Sequence, residues 1–166
     1  MPEATTPAPA AGTADPVVYS EKLWPAWWVW LVTIGVSAAG ILVFAPISLA
    51  AGYTAAMVLF VILAGALIAS TPAVVVTAKS FRAGRATLPL AVAGDAEAFT
   101  GDEATAERGV RLHGLAYLCI RGWISSVVRL ELNDPDDRTP YWLVSTRHPA
   151  QLVAALTDHP GPAESV

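Results

Sequence analysis

The sequence predicts an α+β membrane protein in which a transmembrane two-helix hairpin precedes a small β-rich domain that ends in a helix. The 56 residues 23–78 contain no Asp, Glu, Lys, Arg or His. A single membrane-spanning helix needs only about 20 apolar residues to cross a hydrocarbon core of about 30 Å, so this stretch predicts two spans and a turn. The polar remainder shows the period-2 alternation of β-strands, which predicts a domain outside the membrane.

The segment before the apolar stretch is rich in Pro, Ala and Thr and shows no apolar period. We expect residues 1–22 to form a disordered cytoplasmic tail. No Lys or Arg precedes Lys22, so the segment lacks the positively charged start of a secretory signal.

The two spans are predicted at about 23–45 and 50–71, with breaks at Pro46 and Pro72 because proline interrupts the helical hydrogen-bond ladder. Tryptophan settles where hydrocarbon meets lipid headgroups, and basic side chains flank spans on the cytoplasmic side. These rules predict a set of membrane-interface residues: Trp24, Trp27, Trp28, Trp30, Lys79, Arg82 and Arg85.

The orientation follows from the same basic residues. Lys22 precedes the first span and three bases follow the second, whereas the connecting turn is uncharged. The positive-inside rule therefore predicts a multi-pass plasma-membrane protein with both termini cytoplasmic. The three bases after the second span are stop-transfer flanks in one interpretation and attract anionic lipid in another.

The segment 73–158 is predicted to be the β-rich cytoplasmic domain, followed by a tail at 159–166. Residues 73–77 are β-branched and are either the last turn of the second span or a strand. A short strand at 85–90 precedes an acidic helical stretch between Asp95 and Arg108, with Thr100 or Asp102 as N-cap. Strands at 116–120, 124–132 and 141–146 follow, the last two joined as a hairpin, and a helix begins at Pro149.

This order of elements, with strands, a small inner helix, more strands and a terminal amphipathic helix, is that of small bacterial pleckstrin-homology-like domains. In those domains the last helix closes an open end of the barrel. The apolar stripe of Leu152, Val153 and Leu156 suits such a helix. The comparison is an analogy of fold and carries no function.

Several stretches also resemble a known family. They are Arg121-Gly-Trp123, Leu132 to Asp137, and Thr139 to Arg147 with Pro149 two residues further on. Together with the Tyr19 to Trp24 segment they are similar to an actinobacterial membrane-protein group known as domain of unknown function 3093. The resemblance covers about Tyr19 to Leu156 and implies two spans, a small cytoplasmic domain and residence in the plasma membrane. It implies no activity.

Few side chains suggest catalysis. Cys119 lies in an apolar strand, which favours a buried structural thiol over a nucleophile. His113, His148 and His159 lack the spacing of metal ligands, and Asp134, Asp136 and Asp137 suit a hairpin turn better than a calcium loop. We expect no catalytic residue, no metal and no cofactor.

One set combines the residue types that are enriched at binding surfaces. It consists of Arg121, Trp123, Tyr141, Trp142 and Arg147. Two interpretations remain open: core packing of the aromatics with arginine–acid ion pairs, or a recognition surface.

The partners follow from charge and hydropathy. From Lys79 onward nine Lys or Arg face eleven Asp or Glu, a near-neutral balance without a basic field, so we expect no nucleic-acid partner. The lipid bilayer, anionic lipid headgroups or a membrane-protein partner remain. The sequence favours a non-enzymatic, membrane-tethered interaction module. The alternatives are an accessory subunit of a larger membrane complex and, less favoured, a membrane enzyme.

Overall fold

Two long helices form the most apolar part of the molecule in a computed structural model, which describes residues 15–158. The helices are α1 (Trp27–Phe44) and α2 (Leu49–Ala69), and both are long and apolar enough to cross a membrane. They agree with the predicted spans, and the break falls at 45–48. Gly52 lies against Ile41, where an added Cβ would meet backbone at 3.2 Å, so the glycine permits close packing of the two helices.

A strand precedes the helices, contrary to the expected disordered tail. β1 (Val17–Lys22) pairs antiparallel with β2 (Ala73–Thr77), which follows α2, and Lys22 lies opposite Ala73. The prediction of disorder is therefore wrong for 17–22, while residues 1–14 lie outside the described residues, as do 159–166. The open question about 73–77 is resolved as strand. The helical hairpin thus occupies the connection between two neighbouring strands of one sheet.

The first sheet is an antiparallel meander in the order β1-β2-β3-β4, completed by β3 (Ser80–Ala83) and β4 (Ala86–Pro89). The turn between β3 and β4 contains Gly84, whose φ of 65° favours glycine. The Gly84 N–H donates to the Ala73 carbonyl at 2.9 Å, which brings this turn back to the end of α2.

The second sheet has the order β5-β7-β8-β6. Its strands are β5 (Ala93–Phe99), β6 (Tyr117–Cys119), β7 (Val127–Leu132) and β8 (Tyr141–Ser145). The predicted β7–β8 hairpin is confirmed, and β6 runs parallel to β8. Helix α3 (Gly101–Arg108) begins after Thr100, as expected, but residues 95–99 belong to β5 and not to the helix.

The core lies between the two sheets and is covered by the terminal helix α4 (Pro149–Thr157). Leu152 and Leu156 are buried against it, as the apolar stripe predicts. Trp142 fills the centre, with ring centroids 5.9 Å from Phe81 and 4.3 Å from Tyr117. One apolar core therefore joins strands that come before and after the helical hairpin.

Candidate functional site: an arginine-lined cleft at the end of the helical hairpin

Arg121 is hydrogen-bonded to the C-terminal end of the helical hairpin. It follows β6, and one terminal guanidinium nitrogen donates to the carbonyl of Ser70, the C-cap residue of α2, at 2.7 Å. The other terminal nitrogen donates to the Ile120 carbonyl at 2.9 Å. The last carbonyls of a helix lack intrahelical partners and carry partial negative charge, so a guanidinium is a favourable cap.

Arg147 holds the incoming end. Its guanidinium donates to the Trp24 carbonyl at 2.6 Å, between β1 and α1. The backbone N–H of the same residue donates to Glu21 Oε1 at 2.9 Å, and the hydroxyls of Tyr19 and Thr146 donate to Glu21 Oε2 at 2.7 and 2.5 Å. Both ends of the hairpin are therefore fastened to the second sheet by arginine–carbonyl bonds.

The carboxylate of Glu21 is the centre of this fastening. Burial favours the neutral acid and opposes ionisation, but the bonds from Thr146, Arg147 and Tyr19 outweigh burial, so the pKa of Glu21 is lowered. Burial and the adjacent Glu21 raise the pKa of Tyr19 to about 12, against the opposing bond from Thr146. Tyr19 thus remains a neutral donor to an ionised carboxylate.

A cleft of about 600 Å³ opens where α2 ends. Three parts of the fold form its walls: the junction of α2 with β2, the β3–β4 turn, and β6 with the residues that follow it. The lining residues are Ala69, Ser70, Thr71, Pro72, Ala73, Val75, Arg82, Gly84, Arg85, Tyr117, Leu118, Cys119 and Arg121. Its volume lies within the range of about 300–1,000 Å³ that is usual for small-molecule sites.

The cleft is positively charged, because three arginines and no acidic residue line it. In the part of the chain that the structure describes, none of these arginines forms an ion pair. Arg82 instead donates from Nε to the Gly84 carbonyl at 3.3 Å. Arg129, outside the cleft, differs by pairing with Glu97, Glu107 and Glu131 at 3.2, 3.3 and 3.5 Å. The cleft therefore retains uncompensated cationic charge.

Comparison with known families identifies the chain. A family model described as a protein of unknown function, DUF3093, matches residues 18–156. The chain belongs to the DUF3093 family. Neither a curated protein nor a solved structure matches it. The match includes all of β1 but its first residue, the hairpin and both arginine fastenings, so the DUF3093 unit covers nearly all of the fold described above.

The candidate recognition set is not brought together as one surface in the DUF3093 chain. Trp142 and Tyr141 are buried, and the Tyr141 hydroxyl accepts a bond from the His113 N–H at 2.8 Å, so a recognition surface that includes these two aromatics is wrong. Trp123 packs half-buried against the core, 6.0 Å from the Arg121 guanidinium. Arg121 and Arg147 bind backbone carbonyls and not the acids that the packing interpretation expected.

The expected interface residues divide into two groups in space. The exposed indoles of Trp24, Trp27 and Trp28 and the half-buried Trp30 surround the start of α1. Arg82 and Arg85 reach the end of α2 because β3 runs back towards it.

Lys79 differs from those two arginines. It lies beyond the far end of β2, whose four steps from Ala73 to Thr77 span roughly 13 Å. There it pairs with Asp15 at 3.7 Å. Lys79 therefore does not flank the hairpin in space, contrary to the expectation from its place in the sequence.

Cys119 is buried, as predicted, with 6% of its surface exposed on the cleft wall. Burial raises the pKa of its thiol, and the nearby Arg121 offsets this only in part. A thiol that is neutral and covered is a poor nucleophile.

The acidic β7–β8 turn is confirmed as well. Asp134 Oδ1 accepts a bond from the Asp136 N–H at 3.0 Å, and Asp137 Oδ1 accepts one from the Thr139 N–H at 2.8 Å. Of the three histidines, His159 lies outside the described residues. Within residues 15–158 no cluster of three potential metal ligands occurs.

Sequence reasoning missed two parts of the candidate site. Glu21 falls in the segment that is expected to be a tail, although the β-branched and aromatic run Val17-Val18-Tyr19 is a strand signal. Arg121 was singled out but not placed beside Arg82 and Arg85, because only the folded β3–β4 turn brings them to one cleft.

Proposed function

We propose that this protein is a membrane-tethered interaction module whose binding surface is the arginine-lined cleft. In this proposal α1 and α2 span the plasma membrane, and the β-rich domain is held against its cytoplasmic face. One observation carries it: the hairpin is inserted between paired strands β1 and β2, and Leu23 N–H donates to the Pro72 carbonyl at 3.1 Å. The cleft therefore lies where the helices meet the domain and would face the bilayer surface.

The surface of the helices supports insertion. Only 11% of the apolar window in α1 and 6% in α2 is buried within the molecule. The core helix of a soluble protein would bury most of such a surface, and a bilayer provides the apolar surroundings that these helices lack. A cleaved signal sequence is disfavoured because cleavage after α1 would remove β1, an edge strand whose neighbour Leu23 is fully buried.

The charges support the cytoplasmic orientation. Both ends of the hairpin meet at the β1–β2 pair, and the basic residues near them are Lys22, Arg82, Arg85, Arg121 and Arg147. The helical turn at 45–48 is uncharged. The positive-inside rule favours the cytoplasmic side for the basic end.

The architecture also supports a pleckstrin-like assignment of the domain. Two four-stranded sheets share one core, and a single C-terminal helix packs against it. Two features depart from a simple sequential meander. β6 runs parallel to β8, and β1 precedes the hairpin that separates it from its partner β2. The fold by itself implies no activity, so the functional argument rests on the cleft.

A binding role suits the chemistry of the cleft better than catalysis. Arginines remain protonated and supply donors and charge, which favours recognition of an anion. Tyr117 donates to the Ala83 carbonyl at 2.9 Å, and burial raises its pKa, with Cys119 adding to the shift. The pKa of the Cys119 thiol is raised as well. Neither group is poised to act as a base at neutral pH.

Site-directed thiol labelling tests the topology. In a Cys119→Ser background, Ser48→Cys at the helical turn should react with a membrane-impermeant maleimide added to intact cells. Arg138→Cys, exposed in the β7–β8 turn, should react only after the membrane is permeabilised. Reverse labelling would overturn the orientation, and labelling of both sites in intact cells would overturn membrane insertion.

The accessory-subunit alternative has one supporting observation. An added Cβ at Gly35 or Gly65 would meet nothing within 4 Å, so these glycines lie outside the packing between α1 and α2. Small residues on the outer surface of a span permit close approach of another helix. If Gly35→Leu and Gly65→Leu disrupt a complex isolated from membranes while cleft variants leave it intact, the accessory role is favoured.

A further inference from the structure

We propose that the cleft binds the phosphate group of an anionic lipid headgroup from the cytoplasmic leaflet. This inference rests on the proposed function, since it requires that α2 end at the headgroup level. It adds a ligand class to the cleft and assigns the binding to Arg82, Arg85 and Arg121.

The three arginines come from separate parts of the fold. Arg82 lies on β3, Arg85 in the β3–β4 turn and Arg121 after β6 of the other sheet. All three line the same cleft without an acidic neighbour among its lining residues. Guanidinium groups match phosphate oxygens in planar, bidentate geometry, so a converging set favours a phosphate over a small spherical anion.

Arg121 has an unused donor beside the cleft that it lines. Its terminal nitrogens bind the Ser70 and Ile120 carbonyls, but its Nε is buried and has no hydrogen-bond partner within residues 15–158. An unpaired buried donor is destabilising, and most such groups in proteins have a partner. In the proposal the side chain turns its Nε towards a phosphate oxygen bound in the cleft.

The walls of the cleft favour a lipid over a soluble phosphate. The last residue of α2, Ala69, forms one wall together with Pro72, and the half-exposed Leu118 lies on the wall formed by β6. Basic pockets beside membrane helices on the cytoplasmic side are typical sites for anionic headgroups. Apolar residues next to the arginines suit a ligand that carries acyl chains.

Arg82 and Arg85 provide the test because both are exposed, and their substitution leaves the buried core intact. The full chain is purified in a non-ionic detergent, and ligand binding is followed by native mass spectrometry. The probes are dioctanoyl phosphatidylglycerol, dioctanoyl phosphatidylcholine and inorganic phosphate. The variant is Arg82→Gln, Arg85→Gln, and the matched control is Arg138→Gln in the distant β7–β8 turn.

The parent and the control should bind phosphatidylglycerol at least about tenfold more tightly than phosphatidylcholine, and the double variant should lose about tenfold in affinity for phosphatidylglycerol, since charged hydrogen bonds are worth about this factor. Inorganic phosphate at the same concentration should not compete. An unchanged affinity in the double variant, or equal binding of the two lipids, would overturn the proposal. Competition by inorganic phosphate would show a soluble ligand and overturn the lipid assignment.

A second variant covers the buried side of the cleft. Arg121→Gln should reduce phosphatidylglycerol binding, provided that circular dichroism shows the parent fold. If Arg121→Gln unfolds the domain, the exposed double variant still decides the question. Thiol labelling at Ser48→Cys tests the membrane topology of the proposed function separately from lipid binding. If the labelling fits that topology but the cleft shows no lipid selectivity, only this inference is overturned.

Discussion

Arg147 and Trp24 are 123 residues apart in sequence, yet the Arg147 guanidinium donates to the Trp24 carbonyl at 2.6 Å. The bond joins Arg147, which lies just before α4, to the segment that leads into α1. Together with the Arg121–Ser70 bond, it fixes the β-rich domain to both ends of the hairpin. The junction between helices and domain is therefore a set of defined contacts and not a free linker.

We expect Arg147→Gln to loosen this junction without unfolding the domain. Because the side chain is exposed, the loss of stability should be about 1 kcal/mol or less. Hydrogen exchange at the amides of residues 22–30 should become faster than in the parent protein, whereas Arg138→Gln should leave it unchanged. Equal exchange rates in both variants would show that the Arg147 bond does not restrain the junction.

Glu21→Gln should lower stability near neutral pH and lose its effect in acid. The folded-state pKa of Glu21 is lowered from the usual 4.5, so the ionised carboxylate contributes stability above pH 4.5. That contribution disappears as the pH falls through the folded-state pKa. At pH 7 the free energy of unfolding of the glutamine variant should therefore be lower than that of the parent by about 1–3 kcal/mol.

Thermal melts of the parent and the Glu21→Gln variant in detergent, at pH 7 and at several pH values below 4.5, check this expectation. The gap between parent and variant should shrink in acid. A gap that stays constant with pH would mean that Glu21 does not stabilise the fold through its ionised form. Glu103→Gln is the control, since Glu103 is exposed on α3 and lies outside the β1 fastening.

Removing the hairpin should leave a domain that folds. Lys22 and Ala73 are paired neighbours in the sheet, so a glycine-rich loop of about four residues can replace residues 24–71. The circular dichroism spectrum of the shortened chain should be that of a β-rich protein, and its thermal melt should be cooperative.

A chain that starts at Lys79 is the informative comparison. It lacks β1 and β2 and with them the fully buried Leu23, Val74 and Val76. We expect it not to fold, because loss of these side chains opens the core to water. A cooperative melt of this fragment would show that the first two strands are dispensable.

Leu152→Ala combined with Leu156→Ala should abolish the cooperative melt of the hairpin-free chain. Both side chains are buried on α4, and each truncation costs about 2–5 kcal/mol, a large share of the roughly 5–15 kcal/mol available to a domain. Gln151→Ala, on the exposed side of the same helix, should change stability little. If the double variant melted like the parent, α4 would not be part of the core.

Local patterns predicted much of the fold. The uncharged stretch predicted both long helices, and the alternation of Val128, Arg129 and Leu130 predicted β7 with its buried face. β1 was missed because its strand signal, Val17-Val18-Tyr19, is short, and because its partner β2 lies beyond the whole hairpin, a separation that no local pattern reveals. The strand at 95–99 was missed because Asp95 and Glu97 belong to residue types that are depleted in strands.

The candidate site was predicted less completely than the fold. The residue types were recognised, but the grouping of Arg82 and Arg85 with Arg121 depends on how two sheets meet. Lys79 shows the converse. It follows α2 closely in the sequence but lies away from that helix in the fold, where it pairs with Asp15.

The position of the hairpin within a strand pair has a consequence for biosynthesis. β1 leaves the ribosome first, then both long helices, and β2 only afterwards. The first strand can therefore pair with its neighbour only after both helices have been synthesised. In the membrane topology proposed above, a chain whose second helix failed to insert would hold β1 and β2 on opposite sides of the bilayer, and Val74 and Val76 would lack the cover of β1. In that topology, closure of the sheet would act as a check on insertion, because chains that fail to insert would present unpaired strands to proteases.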